Sequence, residues 1–274
     1  MQRSVTAIIQ ARMTSTRLPG KVMLEVLGKP LLGYLVERLA DAARIDRIVV
    51  ATTTNPEDDI VAEFSRKAGL DLFRGSEHNV LERYTRAATV YQADHILRIT
   101  ADCPLIDPVL VDALVDFYFK GEFDYALNCE PPTLPDGLDA EVFSFAVLQQ
   151  THENATLPSE REHVTPYMRK HSEMFSIGRW RNAQDWSHLR WTVDEPEDFH
   201  LVSQIIEVLY PQSRHFRTGE VLALLEEDPW LVNINAAFQR NEGVRQSQMD
   251  DVRYMKTLKE AFENRSCEGI GKAE

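Results

Sequence analysis

Val5-Thr6-Ala7-Ile8-Ile9-Gln10-Ala11-Arg12-Met13-Thr14-Ser15-Thr16-Arg17-Leu18-Pro19-Gly20-Lys21 changes character a third of the way along. Its first five residues form a short apolar run, the pattern of a strand covered on both faces. From Gln10 onward the stretch is polar and basic, with the Ser, Thr, Pro and Gly content of a loop. Beyond it, Pro30 opens a helix over 31–44 with apolar residues at helical spacing. Ile48-Val49-Val50-Ala51 reads as a second strand, followed by a helix that starts at Thr54-Asn55-Pro56-Glu57-Asp58-Asp59 and ends near Gly69. Leu72-Phe73 is a short strand, 79–91 a helix, His95-Ile96-Leu97-Arg98-Ile99 a strand and 109–119 a helix opened by Pro108. This alternation over 1–120 predicts a doubly wound, mostly parallel α/β sheet of the Rossmann-like kind. Ligands of such sheets bind beyond the carboxyl ends of the strands, which directs attention to the loops after Ile9, Ala51 and Ile99.

The remainder is less regular. Glu130-Pro131-Pro132-Thr133-Leu134-Pro135-Asp136-Gly137 is rigid turn material. Residues 138–143 alternate like a strand and 144–151 like a helix. Trp180 and Trp191 flank a loop between two expected strands, the second ending at Arg190-Trp191-Thr192-Val193. Helices are expected over 196–209, 218–227 and 248–264, and a flexible tail over 268–274. We expect one domain over 1–267: a nucleotide-binding half at 1–120, a middle insertion at 121–190 for the acceptor and for dimer contacts, and a carboxyl-terminal part at 191–267.

The 274 residues contain 30 Lys and Arg against 43 Asp and Glu, a net charge of −13. A hydrophobic share of 43% suffices for a folded core. Strong acidity argues against a nucleic-acid binder, which needs a basic face for phosphates. Three cysteines, Cys103, Cys129 and Cys267, form no CxxC pair and point to reduced thiols and a cytoplasmic protein. No apolar run approaches the roughly 20 residues of a membrane helix, so no membrane partner is expected.

Charge is unevenly spread. Residues 1–30 hold five basic side chains (Arg3, Arg12, Arg17, Lys21, Lys29) and one acid (Glu25), a local balance of +4, which leaves −17 for the rest. A basic loop at a strand's carboxyl end is suited to anions: backbone N–H groups approach phosphate oxygens and Lys or Arg supplies charge. A solvated loop without special role is the alternative. It is no P-loop, because Val22 follows Gly20-Lys21 and Ser15 stands where the first glycine belongs.

The segment IIQARMTSTRLPGKVMLEVLGKPLL resembles the amino-terminal signature of cytidylyltransferases that activate acidic sugars. It is most similar to the spore coat polysaccharide biosynthesis protein F (SpsF) family. Acylneuraminate and 3-deoxy-manno-octulosonate cytidylyltransferases are more distant relatives. The resemblance implies a nucleotide-diphospho-sugar transferase fold with CTP bound over this loop. It carries triphosphate contacts onto Arg12 and Lys21 and a small polar contact onto Ser15, with Gln10 and Ala11 leading into the site; Arg17 stands where relatives vary.

Asp102, in Ile99-Thr100-Ala101-Asp102-Cys103-Pro104-Leu105-Ile106, follows the fourth strand and suits a hard cation, although a turn-capping role also accounts for it. Related enzymes have Gly-Asp-x-Pro-Leu here, and the resemblance implies that Asp102 binds Mg²⁺; Ala101 departs from the pattern. Asp194, in Trp191-Thr192-Val193-Asp194-Glu195-Pro196-Glu197-Asp198, reads locally as a helix cap. The octulosonate enzymes have Val-Asp-Thr-Pro-Glu-Asp-Leu, which implies a second metal ligand at Asp194, with Glu197 and Asp198 as first-turn acids. Thr53 and Arg74 resemble positions near the nucleotide. Asp136, Gly137 and Glu141, with His163 of Arg161-Glu162-His163-Val164-Thr165-Pro166-Tyr167, are candidates for the acceptor, against the alternatives of a Pro-Gly turn and a structural histidine. Asn233-Ile234-Asn235 resembles only the spore-coat type.

The expectation is therefore a CTP-dependent cytidylyltransferase, homodimeric, that joins CMP to a nonulosonic acid and releases pyrophosphate, with Arg12, Lys21 and Asp102 as its catalytic groups. A sugar-1-phosphate nucleotidyltransferase or a glycosyltransferase sharing the nucleotide site, and a non-catalytic nucleotide-binding protein, are the alternatives. Pyrophosphate release with each NTP separates them.

Overall fold

A computed structural model describes residues 3–240 and 242–268. Strand β1 (Val5–Gln10) leads through the basic loop and a single 3₁₀ turn (Lys21–Met23) to a small hairpin, β2 (Glu25–Val26) and β3 (Lys29–Pro30). Helix α1 (Leu31–Ala40), β4 (Arg47–Thr53), a 3₁₀ turn (Pro56–Asp58), α2 (Asp59–Lys67), β5 (Asp71–Gly75), α3 (Val80–Val90), β6 (His95–Thr100) and α4 (Pro108–Lys120) continue the alternation. The middle segment adds β7 (Tyr125–Leu127), β8 (Glu141–Ser144), α5 (Phe145–Asn154), α6 (Pro158–His163), α7 (Pro166–Lys170) and β9 (Ile177–Arg179). Helices α8 (Pro196–Leu209), α9 (Thr218–Glu227), a 3₁₀ turn (Leu231–Asn233) and α10 (Glu242–Glu268) follow. Of the expected tail, Glu268 ends α10 and the residues after it lie outside the described ones.

Seven strands form one sheet in the order β5-β4-β1-β6-β8-β7-β9. β5, β4, β1 and β6 run parallel; β8 is antiparallel to both β6 and β7, and β9 is parallel to β7. The middle segment thus completes the sheet with three of its own strands. Alternation sorts each strand between two layers. Val5, Ala7 and Ile9 pack with Leu32, Leu35, Val61 and Leu114 on one face. Ile8, Val49 and Ile96 pack with Leu81, Tyr84, Leu148 and Met168 on the other. A third cluster joins the β2–β3 hairpin to α8 and α9 around the fully buried Trp191.

Two expectations are corrected. Residues 190–193 form no strand; Arg190 makes only an isolated bridge to Asp136, and the Trp191 and Thr192 N–H groups both donate to the Asp136 carbonyl. The expected strand over 138–143 begins only at Glu141, because Asn128 takes up the preceding backbone, accepting from Ala140 N–H and donating to the Leu138 carbonyl. No helix among the described residues is long and apolar enough to cross a membrane.

Candidate functional site

The strand order reverses at β1, where β4 lies on one side and β6 on the other. The crevice beyond their carboxyl ends is the position such sheets reserve for ligands. The loop after β1 is held there by a few bonds. Met13 N–H donates to Asp58 Oδ1 at 2.6 Å, Gly20 N–H donates to the Met13 carbonyl at 2.9 Å, and the Ser15 hydroxyl accepts from Leu18 N–H at 3.4 Å. Gly20 takes φ +73°, a left-handed turn that glycine adopts without penalty, and this sends Lys21 back into the crevice.

There the Lys21 ammonium meets two carboxylates, Asp194 Oδ1 at 2.7 Å and Asp102 Oδ2 at 3.1 Å. Its side chain is only 11% exposed. Burial opposes its charge, yet the two carboxylates outweigh burial and hold its pKa above the ordinary lysine value. Burial likewise opposes ionisation of Asp102, but Lys21 and local hydrogen bonds hold that carboxyl below the usual range. The Asp102 carbonyl accepts from Val193 N–H at 2.8 Å, so the loop after β6 and the segment before α8 are joined directly between the two acids.

A cleft of about 410 Å³ opens over this cluster. Gln10, Ala11, Arg12, Ser15, Lys21, Asp102 and Asp194 all line it, as do Asp136, Glu141 and His163. Arg12 is 39% exposed there, with Glu77 Oε1 3.8 Å away. Arg17 reaches Asp194 Oδ1 and Glu195 Oε1, each at 3.0 Å. Thr53, Arg74 and Gly137 are not on the cleft walls. Thr53 is buried and donates to Asp58. Arg74 donates to the Thr53 and Asn55 carbonyls and pairs with Asp59, bracing the loop after β4. Gly137 has φ +109°, and a Cβ there would stand 2.4 Å from Thr192 N. Its lack of a side chain lets two segments of its own backbone meet.

Glu141 is fully buried among donors: Arg98, Tyr125, Thr165 at 2.9 Å and Arg169 at 3.0 Å. Burial works against its charge, and Arg169 and Arg98 prevail, holding the carboxyl at about 2. His163 Nε2 lies 2.9 Å from the Ser247 hydroxyl of α10, and burial lowers its pKa.

Sequence reasoning passed over Arg98, Arg169, Arg190 and the structural weight of Asp58 and Asp198. Arg98 had a signal, since a charge within an apolar strand requires a buried partner. Asp198 had another, as the third residue of a helix opened by Pro196: it sits in a capping box with Glu195 and is completely buried.

The donor set fits a hard divalent cation. Two carboxylates converge on the Lys21 ammonium in a polar cleft, a charge that such a cation would replace, while among the described residues no group of three or more His, Cys, Asp or Glu stands together as a metal site. Such an ion would draw its remaining oxygen ligands from phosphate and water.

Residues 6–222 match the sequence pattern of the cytidylyltransferase family. The chain is 33% identical over 238 residues to the spore coat polysaccharide biosynthesis protein SpsF of Bacillus subtilis, covering 81% of this chain and 94% of that one. A solved cytidylyltransferase from Leptospira borgpetersenii superposes with a TM-score of 0.80 at 36% identity, over 84% of this chain and 97% of that one. CMP:2-keto-3-deoxy-manno-octonic acid synthetase, solved in complex with CTP, shares the fold with a TM-score of 0.58 at 19% identity, over 74% and 98% of the two chains.

Proposed function

The chain belongs to the cytidylyltransferase family, and from that premise we propose that it transfers CMP from CTP to a nonulosonic acid and releases pyrophosphate, supplying an activated sugar for a surface glycan. The observation that carries this reading is the meeting of Lys21, Asp102 and Asp194 beyond β1 and β6. Two acids and a lysine at a phosphate-binding crevice suit a reaction whose barrier is dominated by phosphate charge. The protein of shared fold named for an octonic acid and solved with CTP supports the nucleotide and the acidic class of acceptor.

In the reaction the acceptor hydroxyl oxygen bonds to the α-phosphorus, the bond from that phosphorus to the bridging oxygen breaks, and pyrophosphate departs; the hydroxyl proton passes to solvent or base. Lys21 and Arg12 bind the triphosphate and stabilise charge that builds on it. Asp102 and Asp194 are the residues to hold Mg²⁺. When bound, that ion neutralises phosphate charge and acidifies a coordinated hydroxyl. Ser15 and the backbone of Gln10 and Ala11 form the floor beside the phosphates, Thr53 and Arg74 brace the loop on the nucleotide side, and Asp136, Glu141 and His163 belong to the acceptor region. The proposal includes a homodimer working in the cytoplasm, where CTP is made.

Thermal-shift measurements with each NTP and MgCl₂ test the reading, because a ligand that binds only the folded state raises the melting temperature. CTP is expected to give the largest rise. An equal or larger rise with ATP, GTP or UTP overturns it.

A further inference from the structure

We infer that Arg190 is the positioning residue for Asp194, a clasp that fixes one carboxylate oxygen and presents the other to the cleft. The inference rests on the metal-dependent reading above. Arg190 is 8% exposed and uses all three guanidinium nitrogens. Nε and Nη2 fork onto the two oxygens of Asp198 at 2.9 and 2.8 Å, Nη1 reaches Asp136 Oδ2 at 2.9 Å, and Nη2 reaches Asp194 Oδ2 at 3.3 Å. The other oxygen of Asp194, Oδ1, is the one that Lys21 and Arg17 contact.

Four further bonds, one of them to the Asp194 backbone, tie the clasp together. Asp198 Oδ2 accepts from Asp194 N–H at 2.9 Å and from Glu195 N–H at 3.0 Å. Asn235, buried in the Asn233-Ile234-Asn235 stretch, donates to Asp198 Oδ1 at 2.8 Å and to the Arg190 carbonyl at 3.0 Å. Asp194 is thus constrained at its side chain by Arg190 and at its backbone by Asp198.

Energetics argue for a role beyond folding. One buried guanidinium faces three carboxylates, Asp136, Asp194 and Asp198, an arrangement whose desolvation cost an apolar cluster of similar volume avoids. Its fork geometry is what a lysine cannot reproduce. Partners that orient a metal-binding carboxylate typically matter by about 10–100-fold in affinity or activity.

The test compares wild type, Arg190→Lys and Asp198→Asn. Mn²⁺ binding in the presence of CTP is read from the electron paramagnetic resonance signal of the free ion. Folding is read by circular dichroism and thermal melting, and kcat and KM for CTP come from pyrophosphate release. Folded variants are expected whose Mn²⁺ affinity falls at least about tenfold, with kcat reduced while KM for CTP stays within about threefold. Folded variants with Mn²⁺ affinity and kcat within about twofold of wild type overturn it. If one variant fails to fold, the other decides; if neither folds, Arg190 serves the fold alone and the inference is overturned. Wild-type protein that binds no Mn²⁺ with CTP instead overturns the metal-dependent reading itself, an outcome distinct from unaltered variants.

Discussion

Lys21 Nζ stands 2.7 Å from Oδ1 of Asp194, a carboxylate 173 residues away in the chain, at the point where a divalent cation would also be drawn. The ammonium acts as an internal counter-ion for the two acids. Nucleotide phosphates would compete for it, and a metal would compete with it, so the two ligands are expected to favour each other's binding.

Replacing Lys21 by Met separates these effects. Turnover is expected to fall at least about 100-fold through loss of phosphate stabilisation. Mn²⁺ binding to the nucleotide-free protein is expected to tighten about tenfold, because a competing positive charge is removed. Calorimetric titration of both proteins with Mn²⁺ checks this; weaker binding by the variant argues against the counter-ion role.

Asp102→Asn keeps the shape of the side chain and removes its charge. Pyrophosphate release is expected to drop about 1,000-fold or more, with the circular dichroism spectrum retained. Turnover close to wild type would remove Asp102 from the mechanism.

Gly137→Ala tests the close approach of two backbone segments. The new Cβ would lie 2.4 Å from Thr192 N and 2.5 Å from the Trp191 carbonyl carbon, contacts that backbone must yield to. A loss of about 2–4 kcal/mol in urea unfolding is expected. Because Asp136 and Arg190 sit at the same junction, Mn²⁺ affinity with CTP should weaken as well. A stability change under about 0.5 kcal/mol contradicts the packing described.

Glu141 sets an acid limit on stability. Its folded pKa of about 2 lies below the ordinary value of 4.5, so its contribution is complete above pH 4.5 and is lost as pH falls towards 2. Melting temperatures of wild type are expected to fall more steeply across that window than those of Glu141→Gln. The variant is expected to be less stable at pH 7 by about 3 kcal/mol, because two arginines lose a buried partner. Parallel pH profiles would contradict this assignment.

Much of this architecture is legible in the sequence for a physical reason. β1, β4 and β6 are buried on both faces, and so are written as apolar runs that end in loops. The basic loop and Asp102 follow directly from those ends. Asp194 is legible only through resemblance, since its local pattern equally describes a helix cap, and its backbone is held by the capping-box residue Asp198. The clasp of Arg190 was not legible, because its partners lie at positions 136, 194 and 198 and only the folded chain brings them together. The same holds for the pairing of Glu141 with Arg98 and Arg169, although Arg98 within β6 does signal a buried partner. Arg74 shows the converse: a guanidinium beside a promising loop spends its donors on that loop's carbonyls.

Cytidylyl transfer is tested by a pyrophosphate-release assay with purified protein and Mg²⁺. It offers each NTP in turn with a panel of nonulosonic acids, and separately offers nucleotide-diphosphate sugars. Pyrophosphate is expected with CTP plus at least one nonulosonic acid, with a CMP-sugar product in equal amount. No pyrophosphate under those conditions, with consumption of a nucleotide-diphosphate sugar instead, would contradict it.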